Sequence, residues 1–462
     1  MRHDLTGWAI GLAVAYLAAV AVAMGNLPFD VWGALVVVPA IASAGFLLAR
    51  RMFHGNLRPL LTPVLIGLAA KAAGSSARYW VAFDAYGGTT DAQRYHRYAK
   101  GASNAFWSGA ATIDSVLPQG TGTRFLEHTT AFLYTFLGSS RLAAFLIFGF
   151  MAWVGSVFYV KAAVIGIPMI RRVRYAWLVM LWPSMIYWPA SIGKEAVATL
   201  FLGISSYGLA RVLQRQWSWT PLAIAAAALG IAGLIRAHLA LFWLVGLVPA
   251  LLVSLLRGVS ALGRANRSIG RRASTALVLV VVAASVWSVG HTVVDAIRPT
   301  DEQTSFTSSV AEVLRETTRR SDQGGSNFDP PQIESPVDWP FAVVRTLTRP
   351  LPTEAHGMFQ LVTALESAAL VLLFLVNWRR VSALVHWQIR VPYVALAATV
   401  VFAGAMAYAH FANLGILARQ RSLLTPLLLT IPCLPEWQPV RRRTVEPVLA
   451  PARPVTPKNA GT

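Results

Sequence analysis

Several short stretches of this chain carry side chains that move protons or hold anions, each flanked by long apolar runs. YGGTTDAQRYHRYAK, Tyr86 to Lys100, brings Asp91, Tyr95 and His96 behind a glycine pair, with Asp84 just ahead of it. A carboxylate or imidazole there has the chemistry of a general base. A helix resuming at Thr90 would set Asp91 in its first turn, with Tyr95 at i+4 on the same face. The other reading of Asp91 is a helix-start charge on an interfacial helix with a solvated basic face. PSMIYWPASIGKEAV, Pro183 to Val197, offers Tyr187 and Trp188 either as faces on which a sugar stacks or as part of an aromatic belt. Its Lys194 and Glu195 sit in a tight turn between apolar runs, where they either pair with each other or leave Lys194 to bind an anion. LIRAHLAL supplies Arg236 and His238, RPLPTEAHG supplies Arg349, Glu354 and His356, and HFANLGILARQRSLL supplies His410, Asn413, Arg419 and Arg421. Guanidinium and ammonium groups at such positions suit a phosphate or diphosphate.

The elements that must position these groups are membrane helices. The chain is 55% hydrophobic and 13% charged, with a mean hydropathy of +0.54, outside the range of soluble domains. Apolar runs near the ~20 residues that cross a bilayer core fall at 7–25, 31–49, 59–82, 141–165, 175–191, 195–212, 219–236, 238–256, 275–294, 357–377, 391–411 and 421–435. The expectation is an all-α polytopic membrane protein of about 12 transmembrane helices, since lipid cannot satisfy backbone groups and no barrel-like alternation is present. Residues 1–436 form the transmembrane domain and 437–462 a basic, Pro-rich tail without fixed structure. The run ending Ala21-Val22-Ala23 reads as an uncleaved anchor rather than a signal peptide.

Arginines set the orientation. Arg50, Arg51 and Arg58, then Arg171, Arg172 and Arg174, then Arg211 and Arg215, and later Arg257, Arg264, Arg379, Arg380 and Arg390 recur in alternate short connections. The positive-inside rule makes those connections, and both termini, cytoplasmic. Two long segments, 83–140 and 295–356, then face outward; an amphipathic helix at Phe125–Gly138 lies in the outer interface, and Gly and Pro fill the middle of the second segment. Every group named in the first paragraph falls on that outer side, which topology should keep poor in cations. Lys71 and Glu366 lie deeper, as a buried pair or as part of an ion pathway.

A net charge of +20 is accounted for by topology and anionic lipid, so no nucleic-acid partner is implied. The lone Cys433 allows no internal disulfide and no cysteine zinc site. Asp84, Asp91 and His96 lack metal-ligand spacing, and no Gly-rich nucleotide motif occurs, so no cofactor is expected and a divalent metal is left open without support from the residues. Converging cations, a carboxylate and aromatic faces at an outer membrane surface fit transfer from a lipid-linked sugar. The leaving phosphate is anchored by its own chain, cations stabilise its charge, and a carboxylate takes the proton of the attacking hydroxyl.

The pattern D-A-x-x-Y-H from Asp91, P-S-x-x-x-W from Pro183 followed by Lys194-Glu195, R-x-H at Arg236, and N-x-G-x-x-x-R-x-R from Asn413 resembles bacterial polysaccharide polymerases of the Wzy and EpsG kind and the related GT-C membrane glycosyltransferases. The resemblance runs over most of 60–430 and implies Asp91 as the acidic residue of the outer loop. It implies Lys194, Arg236, Arg419 and Arg421 as contacts to the lipid-phosphate leaving group. The acidic motif stands in the second outer loop, whereas the first, GNLPFDV, has only Asp30; this departure from GT-C enzymes points toward the polymerases. The implied partners are a polyprenyl-phosphate-linked glycan, the bilayer of a bacterial cytoplasmic membrane, and other glycan-assembly proteins. The competing expectations are a flippase or exporter of lipid-linked glycan and a non-enzymatic scaffold.

Overall fold

A computed structural model describes residues 2–214, 219–260 and 335–437 except 356, with a few isolated positions between 284 and 333. The expected span at 275–294, most of 295–334, His356 and the tail from 438 lie outside the described residues. No β-strand occurs among those described. The chain runs through α1 (Arg2–Asn26), α2 (Phe29–Met52) and α3 (Leu61–Trp80), the last winding on into a π-helical turn, Val81–Ala85. Next come α4 (Asp91–Trp107), α5 (Gly122–Leu137), α6 (Arg141–Gly166), α7 (Arg172–Leu181), α8 (Pro183–Tyr187), α9 (Lys194–Leu213), α10 (Trp219–Ile235) and α11 (Ala237–Ser260). Beyond the undescribed stretch are α12 (Trp339–Thr348), α13 (Met358–Val376), α14 (Pro392–Tyr408) and α15 (Leu414–Arg421).

Among the described residues, 5 helices are long and apolar enough to cross a membrane: α2, α3 with its flanking turns, α6, α9 and α11. The Gly11–Asn26 part of α1, together with α10 and α14, forms shorter apolar helices, and α13 bends by 76° into the segment Trp378–Gln388. Two apolar runs are not single helices. The run 175–191 breaks where Trp182 takes an extended conformation before Pro183, whose ring disfavours helical geometry in the preceding residue. The run 421–435 falls into short turns, Thr425–Leu428 and Ile431–Cys433, each beginning beside a proline, Pro426 or Pro432, that lacks the N–H a continuing helix needs.

The bundle is organised on α6 and α9, which are apolar around most of their circumference. They meet at glycines: a Cβ at Gly155 would strike the carbonyl of Thr199, and one at Gly203 the carbonyl of Gly155. Backbone packs on backbone there, as small residues permit in lipid. Trp153, Tyr159, Tyr175, Trp243, Tyr393 and Tyr408 fill the surrounding core.

The two ends of the bundle differ. At one, cations tie the chain to itself: Lys161 Nζ donates to the Met52 carbonyl at 2.6 Å, Arg174 Nη1 to Asn377 Oδ1 at 2.7 Å and Arg380 Nη1 to the Leu434 carbonyl at 2.8 Å. The other end is covered by α4 and α5. Ala92, Tyr95, Ala99 and Ser103 form the buried stripe of α4 at helical spacing, facing Leu126, Ala131 and Tyr134 of α5. Arg94 Nε to Glu127 at 2.9 Å and Trp107 Nε1 to the Thr135 carbonyl at 2.9 Å link the two helices. Gly87 and Gly88, at φ +56 and +76°, turn the chain into α4. Their role is the left-handed backbone, since nothing lies within 4 Å of a Cβ placed on Gly87.

Lys71 and Glu366 do not form the expected pair. Lys71 Nζ donates to the Met185 carbonyl, and Glu366 Oε1 accepts the Trp182 indole N–H at 2.6 Å. The break between α7 and α8 turns the Trp182 indole toward α13, and the early end of the five-residue α8 leaves the Met185 carbonyl without an intrahelical donor and open to Lys71.

Candidate functional site

At the end covered by α4 and α5, three separate elements converge on one carboxylate. Gly193 is extended and Lys194 opens α9, so Glu195 enters the first turn and is buried to 1%. The chain breaks between α10 and α11 at Arg236, which reaches over α9. The third partner arrives on α15, a short helix started by Asn413, whose side-chain oxygen accepts from Gly415 N at 2.9 Å and Ile416 N at 3.1 Å. Arg236 Nη2 donates to Glu195 Oε1 at 2.6 Å and Arg419 Nη2 to Glu195 Oε2 at 2.8 Å. Arg419 Nε lies 2.7 Å from Oε1 as an additional charge contact. Arg236 Nη1 donates on to Gln420 Oε1 at 2.5 Å.

Arg419 also links this buried centre to the surface. Its Nη1 lies 3.2 Å from Oδ2 of Asp91, whose side chain is 60% exposed. Tyr95 stands one turn along α4, and burial followed by the Asp91 charge pushes its phenol up to about 12. The buried Tyr95 is therefore a neutral hydroxyl throughout the physiological range. Lys194 completes the group. It is half-buried with Nζ facing Gly122 at the start of α5, within electrostatic reach of Asp91, Glu195, Arg236 and Arg419, and among the described residues none of its contacts is a hydrogen bond or an ion pair. Among the described residues three cations thus stand against two carboxylates, and the excess charge is the ammonium that has no hydrogen-bond or ion-pair partner there.

The sequence-derived residues divide into groups. Asp91, Tyr95, Lys194, Arg236 and Arg419 come together, with His238 packed below against Phe242 and Tyr408 at ring distances of 5.6 and 6.2 Å. His96 faces away from Asp91 and accepts or donates to Tyr134 Oη at 2.8 Å. Burial first, then the Arg141 charge, pushes its imidazole down to about 4. Asp84 is exposed in the π-helical turn, in the electrostatic neighbourhood of Tyr79 and of the Asp30–Arg141 ion pair, whose carboxylate accepts from Arg141 Nε at 2.7 Å.

Arg421 and Arg349 form another group. Arg421 is buried to 2%, and its Nη1 donates to the Leu347 and Arg349 carbonyls, each at 2.7 Å. Arg349 is paired with Glu354 at 2.6 Å. At about 100° per residue, positions 419 and 421 point to nearly opposite sides of α15, so both guanidiniums cannot serve one ligand from that helix. Tyr187 and Trp188 lie apart again, each with one ring face covered by Arg78, at 4.7 and 5.2 Å from the ring centres.

Of the two readings of the Lys194-Glu195 turn, the mutual pair does not form: consecutive residues on a helix diverge, and Glu195 turns inward to two arginines from elsewhere. Gln420 carried no signal: an amide next to two arginines acquires a role only once α10 lies beside α15. Among the described residues no three His, Cys, Asp or Glu side chains converge as metal ligands would. Compared with protein-family models, curated proteins and solved structures, the chain matches none.

Proposed function

We propose that this chain is a multi-pass protein of a bacterial cytoplasmic membrane, with about 12 spans and both termini cytoplasmic, that transfers a glycosyl group from a polyprenyl-(di)phosphate-linked sugar to a growing cell-surface glycan. The supporting observation is Lys194: a half-buried ammonium with no hydrogen-bond or ion-pair partner among the described residues, beside an exposed carboxylate that is already oriented by Arg419. Glu195 is too deeply buried to meet a substrate. Its part is to hold Arg236 and Arg419 in fixed positions, so that the charged surface is organised before anything binds.

In this reading Asp91 accepts the proton of the acceptor hydroxyl as its oxygen attacks the anomeric carbon. The bond from that carbon to the phosphate oxygen breaks, and its electron pair leaves with the lipid phosphate. Lys194 and the outer edge of Arg419 receive the phosphate oxygens. Export of lipid-linked glycan would instead call for uncommitted charges through the depth of the bundle. The two deep charges, Lys71 and Glu366, are engaged by a backbone carbonyl and an indole.

The test is deletion of the gene in its host, with mass spectrometry of lipid-linked oligosaccharides and surface glycan. Complementation uses wild type, Asp91→Asn and Lys194→Met. Accumulated complete repeat units, cleared by wild type alone, mark a polymerase; a species lacking one sugar marks a single-sugar transferase. An unchanged glycan profile would remove the glycan-assembly reading altogether.

A further inference from the structure

A second group of polar atoms lies in a cavity of about 460 Å³ between α3, α8 and α13. Arg78, in the last turn of α3, lies over Tyr187 and Trp188 and donates through Nη1 to Tyr187 Oη at 3.3 Å. Among the described residues no carboxylate pairs with it, and its buried Nε has no acceptor. The hydroxyl of Ser184, which lines the same cavity, is also buried without a partner. On the α13 wall, Glu366 is engaged by the Trp182 N–H at 2.6 Å and lies within electrostatic reach of Arg421, so it has its own partners. The rim is apolar and open: Trp80 and Val362 are 59% and 54% exposed.

Buried donors without acceptors are costly, and a guanidinium fixed on two aromatic rings is poorly placed to find one in protein. We infer that this cavity binds the phosphate of a bilayer amphiphile. The phosphate oxygens accept from Arg78 and Ser184, and the aliphatic chain leaves between Trp80 and Val362. The volume suits a headgroup, and the rim suits the chain. Two sources share this chemistry: a phospholipid of the surrounding leaflet and a polyprenyl phosphate. The inference rests on the membrane placement of the chain and not on glycosyl transfer.

Native mass spectrometry of the purified full-length protein tests it. The probes are phosphatidylglycerol, a polyprenyl monophosphate and diacylglycerol, each added to wild type, Arg78→Gln and Val362→Trp. The expected result is retention of a phosphate-bearing amphiphile, with diacylglycerol lost and both variants weakened about tenfold or more. Preference for phosphatidylglycerol supports a resident lipid; preference for polyprenyl phosphate supports a substrate-derived ligand. Val362→Trp fills the cavity from its lipid-exposed rim, so it decides the matter if Arg78→Gln does not fold. Equal retention of diacylglycerol, or wild-type retention by a folded cavity variant, would overturn the inference.

Discussion

Two carboxylates share one arginine here, and their exposures assign them different work. Asp91 is reachable and Glu195 is sealed, so their isosteric amides separate chemistry from architecture. Asp91→Asn removes one exposed ion pair, worth about 0–1 kcal/mol, and is expected to leave the melting temperature nearly unchanged while glycan product disappears. Glu195→Gln leaves two guanidiniums facing a neutral amide in a buried setting and is expected to cost about 3–5 kcal/mol, read as a large fall in melting temperature of the purified protein. If the two variants melted alike, Glu195 would not be the organiser described above. His96 tests a different point. Its folded pKa is depressed to about 4 from an ordinary 6.5, so the unfolded chain binds its proton first as pH falls. The stability it contributes is complete above pH 6.5 and is lost progressively toward pH 4, with Arg141 and Lys100 opposing the charge and Asp30 favouring it. Wild type should therefore lose more melting temperature than His96→Gln across that window; parallel curves would mean that the imidazole titrates normally.

At the scale of elements, the site depends on helix ends being brought to one place. The amphipathic helix over Phe125–Gly138 and the helix start at Asp91 were legible because spacing and end signals are local. What α7 and α8 do was not, since a 17-residue apolar run gives no count of how many turns survive a proline within it. The close helix contact of Gly155 on Gly203 was hidden for another reason: glycine is common in membrane helices, and its partner is set only by packing. It gives a direct test. Gly155→Val pushes a branched side chain against the Thr199 carbonyl, so α6 and α9 must separate. The expected cost is about 1–3 kcal/mol. Because α9 carries Lys194 and Glu195, glycan product should fall with stability rather than independently of it. A Gly155→Val protein with the wild-type melting temperature would mean that the glycines do not set the crossing.

For the molecule as a whole, the question is which end faces outward. Sequence placed arginines at alternate turns and functional residues at the others. In the bundle, Arg174 and Arg380 lie at one end and the group around Glu195 lies at the other, which leaves open which end faces outward. Composition made the membrane class legible, but the partition of Arg419 from Arg421, two residues apart, had to await α15 and its neighbours. The glycosyl reading requires the Glu195 end to be extracytoplasmic, because no nucleotide donor is available there and a lipid-linked one is. Single cysteines can decide this, since native Cys433 is fully buried and should stay silent. Thr112→Cys lies exposed between α4 and α5, and Asn56→Cys lies exposed between α2 and α3 at the basic end. A membrane-impermeant maleimide should label Thr112→Cys in intact cells stripped of outer layers and reach Asn56→Cys only after permeabilisation. The reverse pattern would put Asp91 and Lys194 in the cytoplasm, where nucleotide sugars abound. The argument for a lipid-linked donor would then fail, even though the arrangement around Glu195 would stand.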